Sequence, residues 1–279
     1  MKKLYLVTGF LGAGKTTFIN NLLQGYGKKT AVIVNEFGEQ GIDGRLISQN
    51  EGVNIHEINN GSIFCCCRML DFANALVDMA ELDFEVLFVE ASGLADPSNL
   101  EDIIKGANSR CGNEYVFTGS ICIVDALNYL KLSTALPALE SQVAHGDYIL
   151  INKSDLADEG TLAATKDKLL SINADAKIYN TSYAKLPELP EDELTLKPSS
   201  PSSNTPTTRP KTKMIYPKPM DEKKLGKFIK KVSQKAYRAK GFVTVDGQKK
   251  YLDIVGGKHT LTPSGEKSAD EVVLLTLKK

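Results

Sequence analysis

The sequence predicts a doubly wound α/β domain with a mostly parallel sheet, followed by a small α+β domain. Five runs carry the first part of this expectation: LYLVTG (4–9), AVIVNE (31–36), FEVLFVEA (84–91), SICIVDA (120–126) and YILINK (148–153). Each is apolar at nearly every position, as strands buried on both faces are. Helical patterns lie between them, which implies crossover connections and parallel pairing. Eight of the eleven prolines then fall between Pro187 and Pro219. Ser/Thr/Pro composition of that kind cannot build a core, and it reads as a flexible or polyproline-like linker.

Taken in order, the first run ends in glycines and leads into FINNLL (18–23), a helix, and Asn74–Glu81 and Leu162–Leu170 read as crossover helices. Beyond the proline-rich stretch, DEKKLGKFIKKVSQKAY (221–237) places Leu225, Phe228, Ile229 and Val232 on one helical face, with Asp221 as N-cap. GFVTV (241–245), KKYLDIV (249–255) and EVVLLTL (271–277) read as short strands, the first two joined by a turn at Asp246–Gly247. The expected organisation is therefore an α/β domain over 1–186, a linker over 187–212 and a small α+β domain over 213–279.

Composition narrows the class. With 42% hydrophobic and 24% charged residues the chain has ordinary globular proportions, and no run approaches the roughly 18 apolar residues of a membrane span. The opening MKKLYLVTGFLGAGK has a signal-like look, but glycines and a lysine break its apolar run. It reads as a buried first strand, and the chain as cytoplasmic. Five cysteines, three of them consecutive, do not form a secreted disulfide framework and suit reduced thiols. The net charge of zero conceals an asymmetry: residues 211–279 carry 17 Lys+Arg against 7 Asp+Glu, a net of +10, balanced by −10 over 1–210. The lysines of 223–235 recur along one helix and read as a solvated face, so no nucleic-acid partner is expected.

Four motifs carry chemistry. Gly9 to Thr16, GFLGAGKT, fits G-x-x-x-x-G-K-[ST] directly after the first strand. Its glycines let backbone N–H groups turn toward phosphate oxygens, Lys15 supplies charge to them, and the Thr16 hydroxyl suits Mg²⁺. This makes the expected fold that of a P-loop NTPase. Asn152 to Asp155, NKSD, ends the fifth run; Asp155 can accept two hydrogen bonds from guanine that adenine cannot offer, Asn152 can reach the base edge, and the Lys153 stem can cover the ring. A small-molecule kinase would not need it. Glu90 ends the third run where a carboxylate can hold a Mg²⁺-bound water, with Ser92 and Gly93 placed to sense a γ-phosphate. Asp125, ending the fourth, reads as a structural or nucleotide-side turn residue. Cys65, Cys66 and Cys67 suit a soft or borderline metal such as Zn²⁺ or Co²⁺; in an extended segment Cys65 and Cys67 share a side. Small apolar fillers are the alternative, as Cys111 and Cys122 are taken to be.

Assembled, GFLGAGKTT (9–17), NEFGEQGID (35–43), NGSIFCCCR (60–68), EASGLADP (90–97), IVDA (123–126), NKSD (152–155) and RAKGFV (238–243) resemble the CobW-type GTPases, relatives of the nickel-insertion GTPases. The resemblance implies a GTP and Mg²⁺ site at Gly12, Ala13, Gly14, Lys15, Thr16, Thr17, Glu90, Asn152, Lys153 and Asp155, with Lys15 and Glu90 serving hydrolysis and Thr16 and Glu90 the Mg²⁺. It makes Glu36 and Glu39 part of a switch segment and implies delivery of a transition metal, Zn or Co, to a client metalloprotein or cofactor-bearing enzyme; a homodimer is compatible with it. One departure stands out. Counted from Gly61, the family's G-C-x-C-C motif falls on Ser62, Phe64 and Cys65, while Cys66 and Cys67 are extra. Either the site is rebuilt as Cys65-x-Cys67, or the chain serves maturation of a corrinoid or other metalloenzyme without carrying free metal. No hydrolysis-promoting Gln or Arg stands out, so slow turnover is expected.

Overall fold

The computed structural model describes residues 1–24, 28–35, 54–58, 69–202, 211–236, 238–255, 257–265 and 269–276. The chain divides into two compact units, Met1–Asn204 and Thr205–Lys279.

In the first unit the described strands are β1 (Lys2–Gly9), β2 (Thr30–Asn35), β3 (Asn54–Ile58), β4 (Val86–Glu90), β5 (Tyr115–Asp125), β6 (Tyr148–Asn152) and β7 (Lys177–Asn180). They form one seven-stranded sheet in the order β3-β2-β4-β1-β5-β6-β7, and every neighbouring pair is parallel. The five predicted runs are its central strands. The two edges, NIHEI and KIYN, escape a search for continuous apolar runs because edge strands are short and mix polar with apolar residues.

The described helices of this unit are α1 (Lys15–Leu23), α2 (Met69–Ala80), α3 (Leu100–Cys111), α4 (Tyr129–Ser133), α5 (Pro137–Ala144) and α6 (Glu159–Ile172). Successive strand residues point to opposite faces, and each face has its own core. Leu4, Leu6, Ile33, Leu87 and Val89 meet Phe72, Leu76 and Met79 of α2 and Ile103, Ile104 and Ala107 of α3. Tyr5, Val7, Val32, Val34, Phe88, Ile121 and Ile123 meet Phe18 and Ile19 of α1. Each such side chain contributes roughly 1.5–3 kcal/mol of burial. Helix α6 begins ahead of the predicted Leu162 because Asp158 caps it, accepting from Thr161 N at 2.8 Å.

The proline-rich stretch differs from expectation. Through Ser202 it is docked on the first unit rather than forming a flexible linker from residue 187. Leu189 is buried, and Leu194 and Leu196 pack against the core. Its polar groups are paired too: Tyr5 Oη donates to the Pro190 carbonyl, Leu194 N to Phe117 O (2.9 Å), Ser200 N to Ser98 O (2.9 Å) and Ser202 Oγ to Asp96 Oδ2 (2.8 Å). Lys3 and Lys28 both pair with Glu191. Composition misled here because three leucines spaced among prolines supply anchors that a Ser/Thr/Pro count overlooks.

In the second unit β8 (Lys211–Ile215), β9 (Arg238–Val245), β10 (Gln248–Val255), β11 (Lys258–Pro263) and β12 (Glu271–Thr276) form a sheet in the order β11-β10-β9-β12-β8, all antiparallel. Helix α7 (Glu222–Ser233) lays Leu225, Ile229 and Val232 on Val243, Leu252, Ile254 and Leu274. Asp221 caps it, Oδ1 accepting from Lys224 N at 2.7 Å. The predicted β9–β10 turn has Asp246 at φ 49° and Gly247 at φ 75°, the paired positive values of a tight hairpin.

Two stability outcomes follow from these contacts. Leu189→Ala is expected to cost about 2–3 kcal/mol in denaturant unfolding of the first unit, against no change for a freely moving linker. In the second, burial alone would raise the Asp270 pKa, but Lys249 and the Thr244 hydroxyl and amide outweigh it and hold the carboxyl below its usual range. A depressed folded pKa contributes stability above the unfolded value and loses it as pH falls through the folded one. Asp270→Asn should therefore lower the melting temperature at neutral pH, and the gap from wild type should close in acid.

Candidate nucleotide site at the carboxyl ends of the strands

Ends of β1, β4, β5 and β6 meet where ligands bind in open parallel sheets. Strand β1 stops at Gly9, whose φ of 137° and closeness to β5 exclude a side chain: a Cβ there would lie 2.3 Å from Ile123 O. The loop then turns through Gly12 at φ 78° and Gly14 at φ 116°. Gly14 caps α1 without a capping side chain, as at helix N-termini whose amides serve an anion. Lys15 is buried and folds back over the loop, Nζ 3.4 Å from Phe10 O. Thr16 Oγ1 donates to Glu90 Oε1 at 3.0 Å, and Glu90 is 3% exposed. A hydroxyl beside a carboxylate is an oxygen pair fit for a hard divalent cation. Thr17 lies on the exposed side of the same turn.

The chain after Glu90 closes down on this loop. Ser92 N donates to Asn35 Oδ1 at 3.4 Å, and Asn35 Nδ2 donates to Ile58 O at 3.0 Å, tying the ends of β2, β3 and β4 together. A Cβ on Gly93 would fall 2.3 Å from Leu11 Cγ and 2.6 Å from Leu11 N, so only glycine permits the contact. Further along, Gln142 Nε2 donates to Ala95 O at 2.8 Å, while Asp96 accepts from Ser98 N, Ser141 Oγ and Ser202 Oγ.

On the other side, Asn152 is 3% exposed and makes two bonds: Nδ2 donates to Ala13 O at 2.7 Å, and Oδ1 accepts from Ala184 N at 2.8 Å. Lys153 adopts φ 63° and sends Nζ to Asp125 Oδ2 at 2.6 Å. Asp155 is exposed and accepts from Ser182 Oγ at 2.6 Å. Ser182 and Ala184 belong to TSYAK (181–185), which follows β7 and holds Tyr183 and Ala184 at φ 57° and 52°. This loop was missed in the sequence; its signal is a short run of small and hydroxyl residues just after the last strand, too brief to stand out without β7.

The structure thus gathers Gly12, Ala13, Gly14, Lys15, Thr16, Glu90, Asn152, Lys153 and Asp155 at one end of the sheet. Cys65, Cys67, Glu36 and Glu39 lie outside the described residues. Among the described residues no group of three or more His, Cys, Asp or Glu side chains is placed to hold a metal, and no helix is long and apolar enough to cross a membrane. Cys122 is buried, which pushes its thiol up to about 12, and Cys111 is half-buried; both suit packing.

Comparison with known proteins decides the family. A model of the CobW/HypB/UreG nucleotide-binding domain matches residues 3–180, and one of the cobalamin synthesis protein CobW C-terminal domain matches 214–276. The chain belongs to the CobW/HypB/UreG family. Among relatives, it is 35% identical over 188 residues to the zinc chaperone YjiA of Escherichia coli, covering 65% of this chain and 58% of that protein. It is 28% identical over 200 residues to the zinc-regulated GTPase metalloprotein activator 1 of Schizosaccharomyces pombe, covering 67% and 47%. The chain thus spans about half the length of the curated relatives it matches. The crystal structure of Zn(II)-bound YjiA GTPase from E. coli aligns at 23% identity with a TM-score of 0.48, over 99% of this chain and 94% of that one.

Gly14 offers a sharp test of the family's nucleotide domain here. A Cβ would sit 2.5 Å from Asn152 Nδ2 at a backbone angle that L residues rarely adopt. Gly14→Ala should abolish measurable nucleotide binding by fluorescence titration, whereas Gly226→Ala, where a Cβ meets nothing within 4 Å, should leave it intact.

Proposed function

We propose that this protein is a Mg²⁺-dependent, cytoplasmic GTPase acting as a metallochaperone, with nucleotide state gating a cysteine-containing loop. The observation that carries the reading is the meeting of three chemistries at one sheet end: a glycine loop with Lys15, the Thr16–Glu90 oxygen pair at 3.0 Å, and Asn152 with Asp155 beside them. Phosphates would lie on the 9–16 loop with Lys15 neutralising charge. Thr16 and Glu90 would hold Mg²⁺, which supplies charge compensation at the phosphates. Asp155, held by Ser182 Oγ at 2.6 Å, would accept from N1–H and the exocyclic amine of guanine, and as a carboxylate it offers none of the donors that adenine would require. Lys153 would cover the base.

Zinc is the favoured cargo, because relatives named zinc chaperones share the nucleotide domain. Cys65 and Cys67 are its proposed ligands, and a client metalloprotein the recipient. The switching logic is that γ-phosphate contacts stabilise one of two loop arrangements, with Ser92 and Gly93 the sensing residues. The departure at Ser62 and Phe64 favours the second reading, in which the protein activates a metalloenzyme without carrying free metal.

The experiment is an anaerobic titration of the reduced protein with Zn²⁺ and Co²⁺, with and without Mg²⁺–GTP, in wild type and Cys65→Ser/Cys67→Ser. Tight binding that requires both GTP and the cysteines is expected. Binding indifferent to both would sink the carrier role and leave the second reading. In parallel, Lys15→Ala should abolish phosphate release from GTP, and wild-type turnover should stay below the roughly 10⁻² s⁻¹ of self-sufficient switch GTPases.

A further inference from the structure

Lys153 lies in a left-handed backbone conformation, φ 63° and ψ 30°, which a lysine adopts only when its surroundings hold it there. Its long stem also has among the largest rotamer freedom of any side chain. Both costs are met before any nucleotide arrives. The ammonium sits 2.6 Å from Asp125 Oδ2, and that carboxylate is 5% exposed at the end of the neighbouring strand β5. Asp125 is itself fixed, Oδ1 accepting from Leu127 N at 2.9 Å and Oδ2 from Asn128 Nδ2 at 3.0 Å. Parallel register places Asp125 opposite Asn152, so the anchor stands one residue from the lysine it restrains.

We infer that Asp125 is a positioning residue for base recognition: its carboxylate pins Lys153 so that the lysine stem forms one ready-made wall of the guanine slot. The inference rests on the GTP reading above and adds to it a residue that touches neither phosphate nor base. An unpinned lysine would have to be ordered by the incoming nucleotide, and binding would be weakened by that ordering cost. The effect belongs to the base half of the site, since the phosphate loop draws its order from its own glycines and from Asn152.

The test uses the full chain and three probes: GDP, ADP and inorganic tripolyphosphate. In Asp125→Asn the amide oxygen retains the Leu127 bond while the charge facing Lys153 is lost. GDP affinity should fall about tenfold, the loss of roughly one ordered contact, with tripolyphosphate affinity unchanged. Lys153→Met should lose a similar factor, and the double variant should be no worse than either single one, because both remove the same wall. Equal loss of GDP and tripolyphosphate in Asp125→Asn, or additive losses in the double variant, would overturn the inference. So would wild-type GDP affinity in Lys153→Met, a change at a partly exposed side chain that answers the question should Asp125→Asn fail to fold. Failure of the nucleotide reading itself would look different: wild type would bind ADP as well as GDP.

Discussion

Asn152 donates to the Ala13 carbonyl and accepts from the Ala184 amide, and through these two bonds the phosphate loop and the loop after β7 share one buried side chain. Each bond satisfies a backbone group that burial would otherwise leave unpaired, and such groups are costly to orphan. The amide is a neutral group that carries its donor and its acceptor on separate atoms, so that one side chain serves both loops. An aspartate could not donate to Ala13 O, and a leucine could do neither. Gly14 is constrained by the same side chain, because Asn152 Nδ2 occupies the space its Cβ would take. The geometry of the phosphate half is thereby fixed by a residue whose sequence motif concerns the base. The second motif of the site is a structural member as well as the proposed recognition element.

Much of the fold was legible because a central parallel strand is buried on both faces and so must be apolar throughout. β1, β2, β4, β5 and β6 each contain a run that comes close to that condition. β3 and β7 do not, since each has a neighbour on one side alone. The loop of the candidate nucleotide site was legible for a different reason. Gly9, Gly12 and Gly14 are required by backbone angles and close approach, and those requirements write themselves into the sequence as glycine. The roles of Asn35, Ser182 and Ala184 were less visible, since they depend on what lies across a loop rather than on local spacing. Asp125 was noticed as a turn residue, but its pairing with Lys153 comes from strand register and cannot be read along the chain.

The proline-rich segment shows where compositional reading fails. Residues 187–202 contain enough Ser, Thr and Pro to be called a linker, yet Leu189, Leu194 and Leu196 repay ordering it. One buried leucine, contributing on the order of 1.5–3 kcal/mol, and two partly buried ones suffice when proline has already restricted the chain and lowered the entropy lost on docking.

That segment also answers a problem posed by unequal strands. β5 runs for eleven residues and β6 for five, and their pairing begins only at Ile121. The stretch of β5 before it would present an unpaired strand edge, the kind of surface that templates pairing between molecules. Leu194 N takes the Phe117 carbonyl there, and Pro190 lies 3.3 Å from where a Gly119 Cβ would stand. A covering strand of ordinary composition would simply move the open edge outward by one chain. A segment with prolines at 187, 190 and 198 lacks amide hydrogens at those positions, so it shields the edge while offering no regular ladder for another chain to continue. The same residues that make the stretch look unstructured make it a good terminator for this length of the β5 edge.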